Sequence, residues 1–172
     1  IVQPGIVRDY LNNQLTKYHL HFAPDPATSS RATIGGMIAN NSSGTRSILY
    51  GKTLDHVLEL KVLLDDGQII HCKELSSLEL EEKLELKTRE GHLYRELFAL
   101  VQNNRTEIID RFPKVMRRVG GYNLDEFLTT KWNLCNLIVG SEGTLGIILE
   151  AKIKLEPTPK FQCLFIVHFD DF

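Results

Sequence analysis

Val57-Leu58-Glu59-Leu60-Lys61-Val62-Leu63-Leu64-Asp65-Asp66-Gly67-Gln68-Ile69-Ile70-His71-Cys72 decides the fold. Apolar residues run through Val57 to Leu64, an Asp-Asp-Gly turn follows, and a second β-branched run leads away from it. Gly67 is free to take a positive φ, so the stretch predicts an antiparallel hairpin. Downstream, Ser76-Ser77 caps a helix that reaches about Lys87, and its Glu- and Lys-rich outer face is solvated. Gly91 is expected to break it, His92 to Gln102 reads as a second helix, and Thr106 to Arg111 as a third before Pro113. Leu137-Ile138-Val139 predicts a strand. After the glycine-rich turn from Gly140 to Gly146, Ile147 to Leu155 predicts another, with Ile148, Ala151, Ile153 and Leu155 inward. Upstream, Ile6, Val7, Tyr10, Leu11, Leu15 and Tyr18 suit one face of a helix. His19 to Ala23 is an extended lead-in to Pro24. Helices lie between strands without βαβ alternation or repeats, so the class is α+β.

The 172 residues carry 20 Lys+Arg and 22 Asp+Glu, a net charge of −2, with 42% hydrophobic residues. That composition excludes a disordered chain and argues against a general nucleic-acid or anionic-membrane surface. The apolar runs are too short to cross a bilayer. Cys72, Cys135 and Cys163 stand far apart, which suits reduced, mostly buried thiols in a reducing, cytoplasmic setting. No histidine has metal-ligand spacing except His19-x-His21, and that pair reads as a chance surface feature. The apolar start at Ile1-Val2 and the strand-like Cys163 to Phe169 suggest a piece of a longer protein.

Three constellations can carry chemistry. Pro24-Asp25-Pro26-Ala27-Thr28 precedes Thr33-Ile34-Gly35-Gly36, where paired glycines let a backbone approach a ligand. A short helix over Ile34 to Asn40 would point its first N–H groups at that ligand, the alternative being a tight packing contact. Asn40-Asn41-Ser42-Ser43-Gly44, with Tyr50-Gly51, offers a patch of donors and acceptors flanked by Arg46 and Lys52, or else an ordinary loop. Gly140-Ser141-Glu142-Gly143-Thr144-Leu145-Gly146-Ile147 fits neither a dinucleotide fingerprint nor a phosphate-binding P-loop. Arg117-Arg118 is a short basic dipeptide, and Trp132 a core or domain contact. No nucleophile or triad stands out.

Together with Gly121-Tyr122-Asn123-Leu124, these motifs resemble the PCMH-type FAD-binding domain of the vanillyl-alcohol oxidase flavoprotein family. The resemblance is closest to the branch holding D-lactate dehydrogenase and the D-type subunit of glycolate oxidase. It implies an antiparallel sheet flanked by helices, the second subdomain of such a domain, over residues 1–160. Residues 161–172 would begin the substrate-binding cap, and the first subdomain with its glycine-rich loop would be absent. It also implies non-covalent FAD and oxidation of a 2-hydroxy acid such as D-lactate, glycolate or D-2-hydroxyglutarate to the keto acid. Pro24 to Thr28 and Thr33, Ile34, Gly35 and Gly36 would line the pyrophosphate, ribose and flavin edge. Asn40, Asn41, Ser42, Ser43, Gly44, Tyr50 and Gly51 would continue that wall, and Glu142, Gly143, Thr144, Leu145, Gly146, Ile147 and Ile148 would lie along the adenosine. No catalytic residue and no metal ligand is expected in this chain. The electron acceptor is unspecified; an iron–sulfur partner or fused domain is one option, as is peripheral attachment of the parent to a membrane. Two alternatives stand beside this reading. One is a non-catalytic interaction module on the same scaffold; the other is a related flavoenzyme acting on a sugar alcohol or an ether-lipid precursor.

Overall fold

The computed structural model describes residues 1–129, 131–161 and 163–169. In chain order the elements are α1 (Arg8–Leu15), β1 (Leu20–His21), α2 (Ile34–Ala39), α3 (Ser47–Tyr50), β2 (Val57–Leu63), β3 (Ile69–Leu75), α4 (Ser77–Glu85), α5 (Arg89–Asn103), α6 (Arg105–Arg111), β4 (Trp132–Asn133), α7 (Cys135–Ile138), β5 (Ile147–Ile153) and β6 (Glu156–Pro157). Short 3-10 turns follow α1 at Thr16–Tyr18, precede β2 at Thr53–His56 and precede β4 at Leu124–Leu128.

The hairpin forms as its sequence predicts, with Gly67 at φ 83° in the turn. It is the middle of an antiparallel sheet ordered β4-β3-β2-β5, and β1 pairs with β6 in a separate two-stranded ribbon. Alternation decides the faces. Leu60 sits opposite Cys72 and Ala151, and Val62 opposite Ile70, and all five are buried. The intervening residues carry charge to the other face, where Glu59 accepts from Lys152 at 2.5 Å and from His71 at 2.9 Å. One face is core and the other is wet, the usual state of an antiparallel sheet. The first residues add to the free side of β5: Val2 and Ala151 exchange backbone hydrogen bonds of 2.8 and 2.9 Å.

The α+β class holds, but several local expectations change. Leu137-Ile138-Val139 is not a strand; the Asn133 side chain accepts from the Cys135 N–H at 2.9 Å and starts the single helical turn α7, which buries Cys135 and Ile138 against β2. A short apolar run fits a buried helical turn as well as a strand. Gly91 does not break a helix either. The chain leaves helix at Leu86, Thr88 caps α5, and Gly91 lies in its first turn. A Cβ there would stand 2.1 Å from the Leu86 carbonyl oxygen, so contact between the helix and the preceding turn demands glycine. In α1 only Leu11 is buried; Tyr10 and Tyr18 are exposed. Residues 163–169 form no strand, and Leu164, Phe165, Ile166, Val167 and Phe169 are exposed. Trp132 is buried against Phe98 and Phe127.

Candidate functional site

Everything in the candidate site is arranged around α2. Thr33 caps it in extended conformation, its hydroxyl accepting from the Gly36 N–H at 3.2 Å. The amides of Ile34 and Gly35 already have protein partners, donating to the carbonyls of Ile6 and Pro4 at 2.9 and 2.8 Å. A Cβ on Gly35 would lie 2.6 Å from the Pro4 Cβ. The start of this helix is therefore closed by residues 3–6, and Gly35 serves close packing. This corrects the expectation that the first N–H groups of α2 point outward. Gly36 differs: it is exposed, and its missing Cβ would meet only the Thr33 hydroxyl, at 3.1 Å.

The other segments attach at the far end of α2. Ser42 donates its N–H to the Met37 carbonyl at 2.9 Å, Gly140 to Ile38 at 3.0 Å and Glu142 to Ala39 at 2.9 Å. These bonds satisfy carbonyls that a helix end leaves open. They also bring the second and third constellations side by side, although about a hundred residues separate them in the chain. Left-handed backbone makes the junction possible: Asn41 has φ 50°, Gly140 87°, Glu142 51° and Gly143 79°. Asn41 is fully buried and accepts the Leu54 N–H at 3.0 Å, which ties the α2 exit to the turn before β2. Asn123 is buried beneath Gly140 and donates to the carbonyls of Asn136 and Val139 at 3.1 and 2.8 Å. Tyr122 hydrogen-bonds Thr144 at 2.8 Å, so the Gly121 to Leu124 motif braces the third turn.

Asp25 joins the first constellation to the second. Its carboxylate accepts from the Thr45 hydroxyl at 3.1 Å and the Arg46 N–H at 3.2 Å, and the Arg46 guanidinium stands 3.7 Å away. Gly44 passes so close that a Cβ would be 2.0 Å from the Asp25 carbonyl oxygen. Pro24 is buried and its carbonyl accepts from the Arg8 guanidinium at 3.0 Å, whereas Ala27 and Thr28 are exposed. Gly51 takes φ 74°, with the Asp55 carboxylate in its Cβ space, and the Tyr50 carbonyl contacts His56 Nε2 at 2.7 Å. Leu145 to Ile148 run away from α2 into β5. There Gly143 to Ile147 form one wall of an apolar cleft of about 680 Å³, completed by the hairpin tip and α5. Arg117 is the residue that motif reading passes over. From 70 positions beyond Ser47 it donates to the Ser47 hydroxyl at 2.6 Å and to the Gly44 carbonyl. No local pattern signals that contact.

The donor set fits a ligand that carries hydrogen-bond acceptors or negative charge, such as carbonyls and phosphates. Ser43, Gly44, Thr45 and Gly143 have backbone N–H groups with no protein acceptor among the described residues. Gly143 has nothing within 4 Å of its missing Cβ, so a ligand can lie directly on the backbone. Among the described residues no group of three or more His, Cys, Asp or Glu could hold a metal ion.

Comparison with known proteins agrees with this chemistry. Residues 1–73 match the family model described as an FAD binding domain. D-2-hydroxyglutarate dehydrogenase of Pseudomonas putida (strain KT2440) is 40% identical over 174 residues, covering 99% of this chain and 17% of the relative. The protein of the same name from Escherichia coli (strain K12) is 39% identical with the same coverage. Glycolate oxidase subunit GlcD of Bacillus subtilis (strain 168) is 32% identical over 92% of this chain and 23% of its own length. The chain thus spans less than a quarter of these relatives. Among solved structures, an alkyldihydroxyacetonephosphate synthase superposes with a TM-score of 0.53 at 24% identity, over 93% of this chain and 21% of that one, a likeness of fold. The chain is thus similar to an FAD binding domain over residues 1–73 and, over nearly all of its length, to one part of these longer proteins of the PCMH-type flavoprotein family, and FAD is the cofactor that these likenesses support.

Proposed function

We propose that this chain is the second subdomain of the flavin domain in a dehydrogenase of 2-hydroxy acids, with a D-2-hydroxyglutarate-like dicarboxylate as its first substrate candidate. The observation that carries the reading is the clustering of unbonded amides at Ser43, Gly44 and Thr45 with Gly36 and Gly143, whose missing side chains leave room, around one short helix. The substrate class is supported by the names of the relatives at 39 and 40% identity.

When bound, FAD supplies a two-electron acceptor for the hydride leaving the α-carbon while the hydroxyl proton departs, giving the 2-keto acid. The residues of this chain bind and orient. Ser43 to Thr45 donate hydrogen bonds, Gly36 and Gly143 permit close approach, and Arg46 and Lys52 lie near enough in sequence to balance phosphate charge. Thr28 and Asn40 extend the exposed polar rim, with Ala27 exposed beside Thr28. The groups that accept the proton and hold the substrate carboxylate belong to a cap outside residues 1–160. The electron acceptor also lies elsewhere, and an iron–sulfur centre on a partner or fused segment is the class to test. No helix among the described residues is long and apolar enough to cross a membrane. We place the parent in the cytoplasm, with peripheral membrane contact a matter for fractionation.

The test uses the full-length parent. It should purify with the visible absorption of bound flavin and reduce an artificial acceptor in the presence of D-2-hydroxyglutarate faster than with glycolate or D-lactate. A colourless parent that takes up no added FAD would sink the flavin reading; a yellow parent that prefers a sugar alcohol would sink the substrate class alone. The isolated 172-residue chain should bind FAD more weakly than about micromolar by calorimetry, because half of the cradle is missing while the cost of immobilising the ligand stays.

A further inference from the structure

The loop Ser43–Arg46 lies outside helix and strand, yet its Ser43, Gly44 and Thr45 amides have no protein acceptor among the described residues. A loop of this composition is ordered only if something holds it, since fixing each residue costs conformational entropy. The Asp25 carboxylate holds one side through Thr45 and Arg46. The other side is held from a distant segment, where Arg117 reaches Ser47 and Gly44 with two different nitrogens of one planar guanidinium. Ser47 is itself 4% exposed and donates its own N–H to the Gly44 carbonyl at 3.1 Å. Arg118, next along, makes a two-pronged contact of 2.5 and 2.7 Å with Asp125 and packs over Phe112, which fixes the backbone that carries Arg117.

The chemistry of the peptide unit adds a second effect. The Gly44 carbonyl and the Thr45 N–H belong to the same amide group. A cationic donor on the carbonyl draws electron density from the nitrogen and makes that N–H a stronger donor, the cooperativity expected of linked hydrogen bonds. We propose that Arg117 is a positioning residue for the flavin: it clamps the Ser43–Arg46 loop opposite Asp25 and polarises the Gly44–Thr45 peptide, so that its free N–H is presented to the cofactor. The proposal rests on the flavin reading above and makes no claim about the substrate.

The full-length flavoprotein, stripped of cofactor and titrated with FAD by quenching of flavin fluorescence, tests it. Arg117→Ala should weaken FAD binding by about tenfold or more, the effect of losing a hydrogen bond from a charged donor. It should also shift the visible spectrum of the bound flavin. Added guanidinium ion should restore part of the affinity in Arg117→Ala. Arg117→Lys should recover only part, because one ammonium cannot span two diverging acceptors as a planar fork does. The neighbouring Lys114→Ala should bind as the wild type does. If the wild type binds FAD and Arg117→Ala matches it in affinity and spectrum, the proposal is overturned. A lower unfolding midpoint of the apoprotein with unchanged FAD affinity assigns Arg117 to folding alone and overturns it as well. A wild type that binds no FAD overturns the flavin reading first. Should Arg117→Ala fail to fold, Arg117→Lys is read by the same two criteria.

Discussion

A Cβ on Gly44 would stand 2.0 Å from the Asp25 carbonyl oxygen, while one on Gly36 would meet only the Thr33 hydroxyl, at 3.1 Å. The two glycines share a polar stretch and carry different constraints. Gly44 is needed so that two backbone segments can touch, and nothing flexible is there to move aside. Gly36 sits on the exposed side of α2 and leaves space for something outside the protein. Gly44→Ala should therefore destabilise the fold by about 1–3 kcal/mol, the usual cost of overpacking, seen as a lower unfolding midpoint. Gly36→Val should leave folding within about 1 kcal/mol, since valine in a helix is no worse than glycine. In the full-length parent, Gly36→Val should abolish flavin retention, because the branched side chain fills the approach. Full flavin occupancy in that variant would show that Gly36 faces no cofactor.

The β1-β6 ribbon is short, and its buried histidine makes it the acid-sensitive element. The His21 ring is pushed below its ordinary value of 6.5, chiefly by burial, with Arg8 and Arg46 adding to the effect and the Glu156 carbonyl and carboxylate opposing it. The folded protein then binds fewer protons than the unfolded chain just below pH 6.5. Stability is full above that value and falls on acidification across the window down to the depressed pKa. The half-buried carboxylates at the surface titrate lower. Lys152 holds Glu59, Lys73 holds Glu79 and Lys154 holds Glu156 below their ordinary 4.5, so their contributions are lost only in stronger acid. The midpoint of urea unfolding should thus decline as the pH falls below about 6.5, and His21→Gln should flatten that decline. An unchanged slope in the variant would move the acid sensitivity to another group. Elsewhere the elements follow local chemistry closely: in α4 the Ser76 hydroxyl accepts from the Glu79 N–H while the Glu79 carboxylate accepts from the Ser76 N–H.

The molecule as a unit closes a single core against one face of its sheet, and that closure sets which thiols can react. Cys72 is fully buried, with burial pushing its thiol up to about 12, and Cys135 is raised by the same cause. Cys163 is exposed. Ellman's reagent near neutral pH should modify one thiol per native chain, at Cys163, and all three only in denaturant, since the thiolate is the reactive form. Rapid native reaction of a second thiol would mean that the core opens. How much of this molecule could be read in advance depends on the range of the interactions involved. The β2-β3 hairpin, the cap at Ser76 and the strand β5 were legible because alternation, turn residues and capping act within a few positions. The motifs at Pro24–Thr28, Thr33–Gly44 and Gly140–Ile147 could likewise be recognised as unusual and their family named. Which glycine packs and which faces open space could not be read, because the answer lies in Pro4, Asp25 and Leu86, the groups that enter the vacant Cβ positions. The same holds for α7, where burial against β2 overrode an apolar run that reads equally well as strand, and for Arg117, whose partners lie 70 and more residues away. Order along the chain was thus enough for most of the elements, since those follow from local backbone preference, while the kind of cofactor came from the resemblance of the glycine-bearing motifs to a known family. Which amides remain free, and what holds them, emerged only on folding, because a hydrogen bond is made or left open according to neighbours that the chain meets once it has folded.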